Sequence, residues 1–169
     1  VIADPALRGR AVAAFFVAVE PALFADLEET GVLPHDDDAR SVTIHGEWEC
    51  FALYACVRGL VAAGGFNRES ALAIDALHQD VLEAWRLQSG EGPEFDARRA
   101  RVAERYAEYG RIGQEGGAAG AATVTQRLGE AAARHIAGGE AAHPDLAALV
   151  GGLHEALAEG AAEAVRRAE

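Results

Sequence analysis

Residues 45–60, HGEWECFALYACVRGL, constrain the fold more than any other stretch of the chain. From Cys50 to Ala63 the sequence is apolar except for Arg58 and the glycine beside it. A helix that is hydrophobic on every side has to be surrounded by other elements. This segment is therefore expected to be the central helix of a bundle. Its polar residues, His45, Glu47, Glu49 and Arg58, must then bind something or satisfy one another, because a buried unpaired charge costs several kcal/mol.

The flanking pattern supplies the other helices. Asp4 followed by Pro5 is a cap and a first-turn proline, opening a helix striped by Val12, Phe15, Phe16, Val19, Leu23 and Leu27. Pro21 is expected to kink or restart that helix, and Gly31 to end it. The second helix is predicted from near Ser41 to Gly64-Gly65. A third follows the cap candidate Asn67, with Ile74, Leu77, Val81 and Trp85 on one face. A fourth follows Gly92-Pro93 and aligns Phe95, Val102, Tyr106 and Tyr109. GRIGQEGGAAG, residues 110–120, reads as a glycine-rich hinge. A fifth helix covers about 121–137 and a sixth starts near Pro144. Strand-like alternation is almost absent.

The expected fold is thus an all-α helical bundle of about six helices in a single domain, residues 1–169. It divides into an aromatic-rich bundle core (1–109), the hinge (110–120) and an alanine-rich C-terminal helical hairpin (121–169). All eleven aromatic residues precede position 110, so the hairpin is built from small side chains that allow close helix approach. The sixth helix carries a stripe of Leu146, Leu149, Val150, Leu153, Leu157, Gly160 and Ala164. That stripe either closes the bundle or forms a subunit interface.

The net charge of −12 argues against nucleic acid or an anionic membrane as partner. No apolar run is long enough to span a membrane, and the first residues lack the layout of a secretory signal. Cys50 and Cys56 would lie about 9 Å apart along one helix, beyond disulfide reach of about 7 Å. A reduced, cytoplasmic protein is the expectation. Every cation is an arginine, a planar fork suited to carboxylates.

Several motifs bear on chemistry. The glycine-rich segment has no lysine, no preceding strand and neither nucleotide-binding spacing. Arg98, Arg101 and Arg105 share one flank of the fourth helix and match an anion clamp. With Glu94, Glu104 and Glu108 beside them, they are expected to form a salt-bridged solvent face instead. A carboxylate-bridged metal pair in a bundle needs Glu-x-x-His motifs on facing helices, and two such helical motifs are absent. His45/Glu49 and Asp75/His78 have ligand-like spacings, but helix register keeps the four from converging on one ion. Glu104 and Glu108 fall on the side opposite the apolar stripe. His135 aligns with Val124, Leu128 and Ala131 as a hydrogen-bonded core histidine. His35 with Asp36-Asp37-Asp38 is expected to be a solvated turn and helix cap. A cysteine–histidine dyad through Cys50 or Cys56 stays open.

The leading expectation is a non-enzymatic accessory or interaction protein, acting as a homo-oligomer or through a protein partner. No catalytic residue, cofactor or metal-ligand set is assigned. The alternative is a helical metal- or small-molecule-binding protein or enzyme with a polar pocket near Glu49, His78 and Arg58. His45, Glu49, Arg58, Asp75 and His78 are its candidate residues. The third helix is expected to cover the His45/Glu49 face, pairing Glu49 with His78 and turning Arg58 toward a different helix, where a carboxylate or several backbone carbonyls must meet it.

Overall fold

The computed structural model describes residues 2–34, 38–116, 118 and 120–167. The described residues form six helices and no strand. They are α1 (Pro5–Glu29), α2 (Asp38–Gly64), α3 (Arg68–Ser89), α4 (Pro93–Gly116), α5 (Ala121–Ala137) and α6 (Leu146–Arg167). His35, Asp36 and Asp37 lie outside the described residues, and with them the expected turn.

The caps form as the sequence predicts. The Asp4 side chain accepts from the backbone amides of Ala6 and Leu7, and the Asn67 side chain from that of Ser70. Both satisfy amides that have no partner within the helix. α1 nonetheless runs through Pro21 without a restart. Pro21 and Val17 both lie on the solvent side, where the carbonyl deprived of its donor remains open to hydration.

α2 occupies the centre, packing against each of the other five helices. Trp48, Phe51, Leu53 and Leu60 are essentially inaccessible. α6 and α5 cover one side of α2, and α1 and α4 flank it. The stripe of α6 is used inside the molecule: Leu146, Val150 and Leu157 are buried, and Leu149 and Leu153 pack against the same core. α5 and α6 form the expected close hairpin. A Cβ at Gly129 would collide with the Ala147 carbonyl oxygen, so a larger residue would force these two backbones apart.

Two expectations are corrected. α3 lies chiefly along α1, with only a minor contact to α2. Gly9 allows this: a Cβ there would strike the Ala73 carbonyl oxygen and crowd Ala76. The face of α2 carrying His45 and Glu49 is covered instead by α1 and α4. The glycine-rich segment is not a hinge from its start, because α4 continues through Gly110 and Gly113 to Gly116. Each glycine costs a helix about 0.5–1 kcal/mol relative to alanine. Packing of Tyr109, Ile112 and Gly116 against the core offsets that cost.

Candidate functional site

The N-terminal half of α2 carries two buried acids, Glu47 and Glu49, each about 95% shielded from solvent. α4 supplies their counter-charges. Its arginines at positions 98, 101 and 105 follow a 3–4 spacing that places them on one flank. Arg98 grips Glu49 through both Nε and Nη2. Arg105 forks onto Glu47 at 2.6 and 3.0 Å, and Arg101 reaches the same carboxylate at 3.4 Å. The expected solvent face of arginines is therefore an internal one. Two carboxylates on an inward-facing helix required cations, and the long arginine stems could cover apolar surface while delivering them. The Arg98 guanidinium also lies 4.3 Å from the Trp85 ring centroid, a cation–π contact.

His45 turns to α1. Its Nε2 meets Glu20 Oε1 at 2.7 Å, and its ring stacks on Phe24 with centroids 4.2 Å apart. Burial lowers the imidazole pKa, but the Glu20 hydrogen bond and the charges of Glu20 and Glu49 outweigh it, so the net shift is upward. Glu20 is itself only 4% exposed. It stands at helical spacing between Phe16 and Phe24, an acid in the buried stripe of α1 that sequence reasoning passed over. The ligand atoms of Glu20, His45 and Glu49 all lie within 4.8 Å of one another. Beside them opens a cleft of about 610 Å³, lined among others by His45, Gly46, Glu49, Ala97, Arg98 and Arg101. Gly46 leaves room for the Arg101 guanidinium, which a Cβ there would displace.

The remaining candidates lie apart from this cluster. Glu49 and His78 are not partners: His78 Nε2 meets the Tyr106 hydroxyl at 3.0 Å, while Glu49 is occupied by Arg98. The placement of α3 on α1 is the reason. Burial lowers the His78 pKa, keeping its ring neutral at pH 7. Asp75 is exposed. Arg58 meets a carboxylate on another helix, as expected: Glu155 of α6 at 2.7 Å, which also accepts from Thr125 at 2.6 Å. Arg58 lines a separate groove between α2 and α6. Glu49, His78 and Arg58 thus have three different settings and do not build the single pocket that the sequence suggested.

Glu108 is likewise not free in solvent. It accepts from His135 at 2.5 Å, with Arg134 at 3.4 Å, joining α4 to α5. Glu104 does face solvent, beside Arg105. Both cysteines are buried free thiols, and burial pushes each up to about 12, so neither is a nucleophile at neutral pH.

His154 is a second residue missed from the sequence. It sits in the α6 stripe four residues after Val150, fully buried and stacked on Phe51 at 4.2 Å. Apart from a main-chain contact with Phe51, neither ring nitrogen meets a hydrogen-bond partner among the described residues, and the Tyr109 hydroxyl meets none. Burial, assisted by the nearby Arg58 charge, lowers the His154 pKa to about 3, so the ring is neutral.

No protein-family model, curated protein or solved structure matches this chain. The site's own geometry is what bears on function.

Proposed function

We propose that this chain is a helical binding protein for a small polar ligand, received in the cleft between α2 and α4. One observation carries the reading. Glu20, His45 and Glu49, drawn from two helices, converge at the edge of a cleft of about 610 Å³. Cavities of about 300–1,000 Å³ with a few convergent polar groups are the usual form of small-ligand sites. Carboxylates and guanidiniums together line this one, which disfavours an apolar occupant. Native mass spectrometry of protein purified without chelator, compared with the same sample denatured, tests it. A mass carried only by the native ion is expected, and Ala97→Trp, which fills the cleft, should remove it. A bare native ion counts against the reading, as does a bound mass indifferent to Ala97→Trp.

A second reading, an accessory protein acting as a homo-oligomer or on a protein partner, draws support from a different place. Phe66, in the turn between α2 and α3, is 96% exposed. Leu7 and Leu72 are half exposed near the same end, where Arg8 of α1 pairs with Glu69 of α3.

A further inference from the structure

We propose that Glu20, His45 and Glu49 form a binding site for one divalent transition-metal ion, an inference that rests on reading the cleft as a ligand site. His45 and Glu49 stand one turn apart on α2 and present donors on one face. Glu20 comes from α1 and supplies the third donor that α2 alone lacked. An ion bound at about 2.0–2.2 Å from each donor needs donor atoms no more than about 4.4 Å apart. The observed limit of 4.8 Å brings all three within a small side-chain adjustment of that geometry.

The chemistry of the donor set narrows the ion. One imidazole nitrogen with two carboxylates suits zinc, iron(II), cobalt or manganese. Calcium would ask for six to eight oxygens, and the two cysteines lie outside the cluster. Glu20 and Glu49 supply two negative charges; with Arg98 on Glu49, a divalent cation leaves one positive charge over, which an anionic co-ligand in the cleft would offset. The stacking of His45 on Phe24 fixes the ring plane, which is the work of an outer shell in a metal site. Arg98 holds both Glu49 oxygens, yet each oxygen has a further lone pair, so Glu49 can ligate through one while the fork keeps the other. Three protein donors leave coordination positions toward the cleft. Arg98 and Arg101 line that cleft and suit it to an anionic co-ligand.

The test is a cobalt(II) titration of the full chain after chelator treatment, followed by visible absorption. One equivalent should bind and develop d–d bands. Glu20→Gln, His45→Ala and Glu49→Gln should each weaken binding by at least about tenfold. His143→Ala, which alters an exposed surface histidine, should leave it unchanged. Circular dichroism establishes that each variant is folded, and His45→Gln replaces His45→Ala if the latter is not. Absence of cobalt bands up to millimolar metal overturns the proposal, as does undiminished binding in both folded His45 variants. An organic adduct in native mass spectra without cobalt binding overturns the metal and leaves the cleft as a ligand site. Neither adduct nor cobalt overturns both.

Discussion

His154 and Glu49 illustrate two opposite solutions to a buried polar side chain. Glu49 is charged and therefore gripped by Arg98, whereas His154 avoids charge altogether. The pKa of His154 in the fold lies near 3, below the ordinary 6.5 of the unfolded chain. Below pH 6.5 the unfolded state takes up a proton that the folded state refuses, so stability falls as pH drops from about 6.5 toward 3. The loss approaches about 1.4 kcal/mol per pH unit within that window. Urea denaturation of His154→Leu should give an unfolding free energy at pH 7 equal to that of the wild type or above it by up to about 1 kcal/mol. The acid-induced drop should also be shallower. Arg98→Ala should do the reverse. Leaving Glu49 without its cation is expected to cost about 3–5 kcal/mol, seen as a lower urea midpoint, whereas replacing the pair by apolar residues (Arg98→Met with Glu49→Leu) should recover most of it.

At the scale of helices, small residues decide which elements meet. Gly9 is pressed against the α3 backbone, so Gly9→Ala should destabilise the protein by about 1–3 kcal/mol, since rigid main chain has to move. Gly110 offers a contrast. It lies within α4 and a Cβ there would meet nothing, so Gly110→Ala should stabilise by about 0.5–1 kcal/mol. Thermal melts of the two variants check the pair together. A destabilising Gly110→Ala would mean that this segment is not helical in solution.

For the whole molecule, the question is where another chain would dock. Much of the apolar stripe of α6 is spent inside the molecule on α5, α2 and α1, with Leu149 and Leu153 partly buried against the same core. Among the described residues, Phe66 is the large apolar side chain left most open. If the chain self-associates through that end, multi-angle light scattering should show an oligomer that Phe66→Asp converts to monomer. A monomer at high concentration, or an oligomer insensitive to that change, would place the interface elsewhere. None of the helices is long and apolar enough to cross a membrane.

Local chemistry was sufficient for the elements themselves. Asp4, Asn67 and the glycines at helix ends mark boundaries because capping and positive φ depend on a few adjacent residues. The apolar run after Cys50 placed α2 at the centre because no other position satisfies a helix without a polar side. It also required Arg58 to find a carboxylate or several backbone carbonyls, and Glu155 is there. The identity of most partners depended on something else. Glu20 looked like one more acid in a helix until α1 was laid against His45, and Arg98 looked like a surface residue until α4 was laid against Glu49. Helix periodicity assigns each side chain an angle on its own cylinder, but which cylinder faces it follows from the close approaches that residues such as Gly9 permit. Those contacts join positions far apart in the chain, so the cluster of Glu20, His45 and Glu49 exists only once the helices are packed.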